Sequence, residues 1–369
     1  MAPQLPELAS LTIHVLIDNE LDPISPSPNP LVEQSGGMKT IGLNGPDLTK
    51  DSSRPGAARE LRMDHICCSA HGLSLLITGT SPSGESHTVL FDTGPEDSAF
   101  ERNALRLKPD LGAVETIQLS HWHRDHSGGM LQAISMIQSS KPPGADPVRV
   151  DLHPSRPTYR GLQPPGLPVV SLEPDPTFEA IEQAGGVVEK HDVAHTVAGG
   201  AFMVSGEIPR VTPYERGLRF GVRYVEGGGW VGDEEMADER FLMCRLKGTI
   251  TFLALLVKGA EGWVLTLAFV GAGKGLVMFT GCSHAGVVNA ARHTLDLEPD
   301  VPLYAVMGGF HLADAEGEQI AATAQDLKAL GVKVLLAGHC TGWRAKFEIQ
   351  KVMGEGGLVP SFVGSTFVL

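Results

Sequence analysis

The alternation of apolar and polar positions along this chain of 369 residues predicts an α/β protein. Short apolar runs of strand length recur from end to end, and several are followed by an amphipathic stretch of helical length. Strands are predicted over residues 11–17, 73–77, 88–91, 114–119, 304–307 and 332–336, and helices over residues 99–107, 130–138 and 319–330. Strands followed by single helices, repeated in two halves without an evident linker, predict one domain over residues 1–369, built as a four-layer αββα sandwich.

Two long stretches interrupt this pattern. Residues 21–56 are rich in proline, serine and glycine and show little periodicity, so a long loop excursion is predicted there. Residues 141–176 contain many prolines, each of which lacks a backbone donor, and are predicted to be largely loop as well.

Composition favours a soluble enzyme that acts on a small molecule. Hydrophobic residues make up 42% of the chain and the mean hydropathy is +0.01, which disfavours a membrane protein. The net charge of −14 disfavours nucleic acid and anionic membranes as partners. Five cysteines without a disulfide pattern, and an N-terminus without the basic start of a signal peptide, favour a cytosolic location.

The densest cluster of reactive side chains lies in the segment His121-Trp122-His123-Arg124-Asp125-His126. Neutral imidazole and ionised carboxylate are ligands that zinc takes in proteins. His121 and His123 alternate as on an extended strand end, whereas Asp125 and His126 follow where the chain turns into a glycine-containing loop. The two pairs can therefore face two adjacent metals. Four metal-type ligands in six positions predict a metal site rather than a solvated histidine-rich loop.

This segment also resembles a known signature. H-x-H-x-D-H after a strand, followed by Ser-Gly-Gly, resembles the motif of the metallo-β-lactamase superfamily, and residues 91–94, 278–281 and 338–339 resemble further segments of it. Within the superfamily, the chain is similar to the branch named for a dihydropterin–ribofuranosylaminobenzene phosphate synthase. That similarity lies in residues 71–74, 206–210, 281–286, 308–312 and 338–342. The resemblance implies the αββα fold, and a centre of two zinc ions is expected, with another divalent metal as the alternative.

The resemblance implies further residues of the site. His339 matches the final histidine of the superfamily and is assigned to the metal that Asp125 and His126 hold. His311 ends a Gly-Gly-Phe-His segment after a predicted strand, so it could point into the same cleft as a proton donor or substrate contact.

The remaining ligand is expected after the later strand of the superfamily, where many members carry a bridging aspartate. This chain has Cys282 there, with His284 two residues further on. Imidazole and thiolate are both good zinc ligands. His284 is favoured as the third ligand beside His121 and His123. Cys282 stays open as an alternative ligand or as a small buried residue.

Other histidines rank lower as ligands. His191 and His195 lie where some superfamily members place a third ligand, but their surroundings are polar and loop-like. His71 and His153 match positions of the branch but have no spacing that indicates ligation, so structural roles are expected for both.

One apolar stretch, residues 249–273, departs from the branch, whose members run almost directly from one strand to the next. It could be a transmembrane helix, an added hairpin or translated intervening sequence. Lys258 to Gly262 divides it into runs too short to span a bilayer, and a hairpin with an exposed apolar face would promote aggregation. We hypothesise intervening sequence, because its excision restores a continuous strand pair. A mature transcript that encodes residues 249–273 would contradict this.

The predicted chemistry follows from two zinc ions. A zinc-bound water loses a proton near neutral pH, and the metals polarise a carbonyl or phosphoryl oxygen. The leading hypothesis is hydrolysis of a small-molecule ester, lactone, thioester or phosphoester by metal-bound hydroxide, with Asp125 orienting the water. The resemblance implies an alternative, a transferase in which an arylamine attacks an activated dihydropterin and displaces pyrophosphate. A non-catalytic metal- or ligand-binding protein is the third hypothesis.

Overall fold

The computed structural model describes residues 4–259, 262–272 and 274–369, and the side chains outside 249–273. The strands in chain order are β1 (Glu7–Leu8), β2 (Ser10–Ile17), β3 (Glu33–Ser35), β4 (Ser74–Thr80), β5 (Ser86–Phe91), β6 (Val114–Gln118), β7 (Arg149–Leu152), β8 (Arg160–Leu162), β9 (Val170–Ser171), β10 (Val187–Lys190), β11 (His195–Val197), β12 (Phe202–Val204), β13 (Gly221–Val225), β14 (Gly229–Gly232), β15 (Leu242–Leu246), β16 (Thr249–Gly259), β17 (Gly262–Ala272), β18 (Gly275–Thr280), β19 (Leu303–Gly308), β20 (Val334–Ala337) and β21 (Thr366–Val368). The helices are α1 (Met38–Leu43), α2 (Asp97–Leu107), α3 (Arg124–Ser127), α4 (Met130–Ser140), α5 (Phe178–Gln183), α6 (Val287–Leu297), α7 (Gly317–Ala329) and α8 (Trp343–Met353).

Two large sheets form the body of the protein. One has eight strands in the order β10-β7-β6-β5-β4-β2-β21-β3. The other has seven strands in the order β11-β12-β15-β18-β19-β20, with β1 also paired to β15. A smaller sheet has the order β14-β13-β8-β9, and β16 pairs with β17.

Three apolar cores hold the layers together. The central core joins the two large sheets and includes Phe91 from one and Phe279 from the other. The outer face of the eight-stranded sheet packs against α2 and α4 through Phe100 and Ile134, and that of the seven-stranded sheet packs against α6, α7 and α8. Burial of each such side chain contributes about 1.5–3 kcal/mol. This is the predicted four-layer αββα sandwich.

The predicted strands and helices are all present, with ends that differ by a few residues. The two predicted loops are largely loop, and each also contains short elements. Residues 21–56 also contain β3 and α1, and residues 141–176 contain β7, β8 and β9. The prolines around β7 conceal a short strand whose Val150 and Leu152 are fully buried.

Strands β16 and β17 occupy the atypical apolar stretch. Their backbones pair antiparallel with one another, while the flanking strands β15 and β18 pair so that Leu246 lies opposite Gly275. Without residues 249–273, Lys247, Gly248 and Lys274 would remain as a three-residue hairpin loop, a common connection. The backbone is thus an added hairpin, and its side chains lie outside the described residues. The intervening-sequence hypothesis stays a prediction for the transcript. Within the described ranges, no helix has the length and apolar character to cross a bilayer.

The carboxyl ends of six strands carry polar residues toward one edge of the sandwich. Strands β5 and β6 are parallel, and β2 runs the same way because β2 and β5 are both antiparallel to β4. In the other sheet β18, β19 and β20 are parallel. The residues that follow these ends are Asp18 and Asn19 after β2, Asp92 after β5, His121 after β6, Cys282 after β18, His311 after β19 and His339 after β20. Carboxyl ends of parallel strands are where α/β proteins build their sites.

Candidate metal centre

The histidine-rich segment lies directly beyond strand β6. His121 and His123 follow the strand with buried side chains. Asp125 and His126 lie on α3, a single helical turn with His123 as its N-cap residue. The prediction of a loop at Asp125 and His126 is therefore wrong. The physical reason is that Gly128 is the C-cap of this turn and does not begin a loop.

Four donor groups converge in what we term the Asp125 half of the centre. The ligand atoms of Asp125, His126, Cys282 and His339 all lie within 4.8 Å of one another. Cys282 Sγ lies 3.2 Å from His126 Nε2 and 3.1 Å from His339 Nε2. Asp125 Oδ2 lies 3.6 Å and 3.4 Å from the same two nitrogens. The structure thus brings together the set that the sequence assigned to one metal, with Cys282 added.

His121, His123 and His284 form the second group, termed the His284 half. His121 Nε2 lies 3.0 Å from His123 Nδ1, and the His284 ring centroid lies 4.9 Å and 5.0 Å from those of His121 and His123. Cys282 borders this half too, within 4.8 Å of the ligand atoms of His121 and His284. His284 is buried, and neither ring nitrogen has a hydrogen-bond partner among the described residues. Buried polar atoms normally have partners, and a metal would supply one here.

Asp92 sets the protons of two of these histidines. Ser120 donates its hydroxyl proton to Asp92 Oδ2 at 2.8 Å, so the serine oxygen accepts from His121 Nδ1 at 2.9 Å. His126 Nδ1 donates to the same carboxylate oxygen at 2.6 Å. In the neutral form of both rings the lone pair on Nε2 therefore faces the centre, which is the arrangement of a metal-ligating histidine with a carboxylate behind it.

The loop that carries His284 is held through its backbone. The two carboxyl oxygens of Glu239 accept from His284 N at 2.8 Å and from Ala285 N at 2.6 Å. Glu239 is buried, and burial raises the pKa of its carboxyl group. Two backbone N–H groups directed at one carboxyl group fix the position of this loop relative to the rest of the centre.

Backbone strain is concentrated at the same edge. Several non-glycine residues after the converging strand ends have positive φ angles, a conformation that costs about 1–3 kcal/mol per residue and clusters at functional sites. These residues are Asp92 (φ 58°), Ser283 (φ 62°), His311 (φ 48°) and His339 (φ 48°).

Burial and nearby charge give the two halves different protonation. Burial lowers the pKa of His121 and His284 well below the usual value, and that of His123 to about 3. Burial also opposes a charge on His126, but the carboxylates of Asp125 and Asp92 outweigh it and raise the pKa of His126 to about 9. The His284 half therefore presents neutral ligands, whereas a metal entering the Asp125 half would displace a proton.

His311 lies at the centre, where the sequence placed it. Its ring centroid is 4.4 Å from that of His284, and its ligand nitrogen lies within 4.8 Å of the sulfur atoms of Cys282 and Cys340. Cys340 Sγ donates to the Cys282 carbonyl oxygen at 3.4 Å. The role of His311 as a proton donor or substrate contact stays a prediction.

His191 and His195 are not brought to this centre. His191 Nδ1 and His195 Nε2 both contact Asp151 Oδ2, at 2.7 Å and 2.6 Å. Arg240 donates to the other carboxyl oxygen of Asp151 at 2.7 Å. The two histidines thus form a separate cluster with Asp151, in which the three ligand atoms also lie within 4.8 Å of one another, and their low rank as ligands stays a prediction.

His71 lies beside the Asp125 half, and the structural role expected for it stays a prediction. Its side chain is 70% exposed, and its Nε2 atom lies 3.5 Å from Asp125 Oδ2. Sequence reasoning missed Asn19, whose Oδ1 accepts from His339 Nδ1 at 2.9 Å, and Glu239. The polar pair after strand β2 was an available signal for Asn19. No such signal pointed to Glu239, because it lies in an irregular segment and its carboxyl group accepts from backbone N–H groups of a distant loop.

Relatives of known sequence identify the family. The chain is 31% identical over 285 residues to 7,8-dihydropterin-6-methyl-4-(beta-D-ribofuranosyl)-aminobenzene-5'-phosphate synthase of Methanocaldococcus jannaschii, covering 75% of this chain and 83% of the relative. The chain belongs to the family of this synthase. An uncharacterized protein of the same archaeon is 24% identical over 283 residues, covering 76% of this chain and 88% of that protein. No protein-family model matches the chain.

A solved structure places the synthase family on a known fold. The crystal structure of Tm1679, a metal-dependent hydrolase of the beta-lactamase superfamily, superposes with a TM-score of 0.60 at 21% identity, covering 96% of this chain and 98% of that one. The branch inferred from the sequence motifs is confirmed by the synthase relative, and the metallo-β-lactamase-like fold is confirmed by the solved structure.

Proposed function

We propose that this chain is a metal-dependent hydrolase of a small molecule, with zinc in both halves of the centre. The observation that carries the proposal is the convergence of imidazole, carboxylate and thiol groups around Cys282, where buried His284 has no other partner in the described residues. Bound divalent metals would acidify a water molecule and polarise a carbonyl or phosphoryl oxygen. The substrate class is an ester, lactone, thioester or phosphoester.

Imidazole, carboxylate and thiolate are the ligand types that zinc uses most, so the donors present suit the metal. Cys282, on the border of both halves, occupies the place of the bridging aspartate. The proposed ligand sets are His121, His123 and His284 for one metal, and Asp125, His126 and His339 for the other, with Cys282 between them.

The protein groups around the metals would orient and protonate the reactants. The Asp125 side chain is 20% exposed, whereas those of His126 and His339 are fully buried, so a substrate would approach on the Asp125 side. Asp125 would accept a hydrogen bond from the attacking water. His311, beside His284, would donate a proton to the leaving group.

Metal content and turnover together test the proposal. The purified chain should bind zinc and hydrolyse at least one member of a panel of aryl esters, lactones, thioesters and phosphodiesters. His123→Ala and Asp125→Ala should abolish turnover, while the exposed control His65→Ala should not. Full activity in both variants would end every enzyme hypothesis. Zinc binding without turnover of any substrate would instead support a non-catalytic binding protein.

A second candidate is the synthase reaction, and the identity of 31% to the named synthase favours it. In that reaction an arylamine carrying a ribofuranosyl phosphate would displace pyrophosphate from an activated dihydropterin. Pyrophosphate release is measured with and without the amine. Release that requires the amine supports the transferase, and hydrolysis of the panel substrates without any amine-dependent release supports the hydrolase.

A further inference from the structure

Asn19 lies between two histidines at the Asp125 half. Its side chain contacts the backbone of Gly72, the ring of His339 and the ring of His71. Gly72 N donates to Asn19 Oδ1 at 3.0 Å. Because a backbone N–H can only donate, this contact identifies the amide oxygen of Asn19, and the remaining atom, Nδ2, is a donor.

This orientation of the amide sets the proton of each histidine. His339 Nδ1 lies 2.9 Å from the Asn19 oxygen, so it donates, and the lone pair on His339 Nε2 faces Cys282 and Asp125. His71 Nδ1 lies 3.0 Å from Asn19 Nδ2 and accepts from it. The neutral His71 ring therefore carries its proton on Nε2, the atom 3.5 Å from Asp125 Oδ2.

The two rings differ sharply in access to solvent. The His339 side chain is fully buried and the His71 side chain is 70% exposed, although their ring centroids are only 5.2 Å apart. Gly72, next to His71, lets the backbone pass close to Asp125, because a Cβ atom there would clash with the Asp125 carbonyl oxygen. His71 thus holds an N–H group at the entrance of the centre, while His339 faces its interior.

We propose that Asn19 fixes which ring nitrogen of each histidine carries the proton. His339 then presents a lone pair to a metal, and His71 presents an N–H to an anionic oxygen of the substrate. Asn19 is then a positioning residue for both rings, and His71 is a substrate-binding residue. The assignment of a substrate to His71 rests on the proposed function. The proton positions rest only on the hydrogen bonds.

Asn19→Asp is the most selective test, because the aspartate side chain has nearly the same shape as that of asparagine. The aspartate keeps an oxygen for Gly72 N and His339 Nδ1 but replaces the donor to His71 with an acceptor. At a pH where the ring ¹⁵N shifts show that His71 is neutral, its proton should move to Nδ1 and leave a lone pair on Nε2. Ring ¹⁵N NMR should show this change at His71 and none at His339. Zinc affinity should stay within about threefold, and inorganic phosphate binding to the zinc-loaded protein should weaken about tenfold, as expected for a lost hydrogen bond to a charged group.

Asn19→Ala separates the two effects, because it removes the contacts to both rings. Loss of the oxygen behind a ligating histidine typically weakens metal binding about 10–100-fold, so zinc affinity should now fall as well. Unchanged zinc affinity in Asn19→Ala would contradict the positioning of His339.

The negative charge added by Asn19→Asp could itself weaken phosphate binding, so a double-mutant cycle with His71→Ala is needed. If the effect acts through His71, most of it should disappear in the His71→Ala background. His71→Gln keeps an N–H donor and should recover most of the phosphate affinity that His71→Ala loses. The exposed control His65→Ala should bind phosphate like the wild type.

Several results would overturn the inference. A wild-type His71 proton on Nδ1 contradicts the assigned hydrogen bonds. Equal phosphate binding by wild type and His71→Ala, or no phosphate binding by zinc-loaded wild type, contradicts the substrate contact. If phosphate binds through His71 but no substrate of the panel is turned over, the proton positions and the anion contact stand, and the proposed hydrolase function fails.

Discussion

The two halves of the centre reach a similar ligand arrangement by different means. In the Asp125 half, His126 donates to the carboxylate of Asp92 and His339 donates to the amide of Asn19, so both rings are oriented by side-chain hydrogen bonds. In the His284 half, His121 is oriented by the hydroxyl of Ser120, but His284 has no such partner in the described part of the chain. Its position depends on backbone contacts and on packing.

The halves also differ in charge. Burial keeps the His284 half neutral, whereas the Asp125 half holds His126 with a pKa of about 9. The better oriented half is therefore the one that must lose a proton to bind a metal. The comparison teaches that the orientation of the ligands and their protonation state at a given pH are separate properties. Different neighbouring residues control each of them.

The largest effects should come from removing one ligand of each half. His339→Ala and His284→Ala should each lose one zinc ion, and activity should fall about 10³-fold or more, because a catalytic metal supplies several kcal/mol of transition-state stabilisation. Elemental analysis and turnover of the best panel substrate measure this. His65→Ala, whose ring is exposed, should retain both metals. Retention of both metals in His339→Ala and in His284→Ala would show that the division into halves is wrong.

The pH dependence of zinc binding should distinguish the halves next most strongly. Below a pKa of about 9 the unprotonated fraction of His126 falls tenfold per pH unit, so zinc affinity of the Asp125 half should rise about 100-fold from pH 6 to pH 8. Cys282 borders both halves, so a thiol proton that zinc displaces is common to them. The His284 half has no additional imidazole proton to release in this range, so its zinc affinity should change less. Calorimetric titration of His284→Ala and His339→Ala in two buffers counts the released protons. Equal pH dependence in the two variants would contradict the assignment.

Asp92→Asn should weaken both halves unequally. We expect a loss of about 10–100-fold in zinc affinity at the Asp125 half, where the carboxylate accepts directly from His126. The His284 half should lose less, because Asp92 reaches His121 only through Ser120. Ser120→Ala is the matched control and should reproduce only the smaller effect. A larger loss at the His284 half would reverse the comparison.

Glu239→Gln should have the smallest effect and act on the His284 half alone. The amide leaves one of two backbone N–H groups without its acceptor, which costs about 1 kcal/mol, or a few-fold in zinc affinity. Glu215→Gln is the control, since Glu215 accepts in the same way from Val288 N and Asn289 N at the start of α6. It should lower the free energy of unfolding in urea and leave zinc affinity unchanged.

The sequence was informative where chemistry is local. His121, His123, Asp125 and His126 lie within six residues, so their spacing alone indicates a metal site. Strands with regular apolar patterns were predicted for the same reason, because periodicity is a local property.

The sequence was uninformative where contacts join distant parts of the chain. Asn19 and His339 are separated by 320 residues, and Glu239 and His284 by 45 residues. No spacing rule links such pairs. A sequence also does not show which side chain is left exposed beside a site, as His71 is here.

The pairing of Leu246 with Gly275 gives this protein an insertion site for protein engineering. The chain leaves the sheet and returns at directly opposed residues, about 5 Å apart, and strand β18 then runs through Thr280 before reaching Cys282. Six strand residues, about 20 Å, separate the insertion site from the metal ligands. A fluorescent domain with adjacent termini could replace residues 249–273 and report on zinc loading from the far end of the strand.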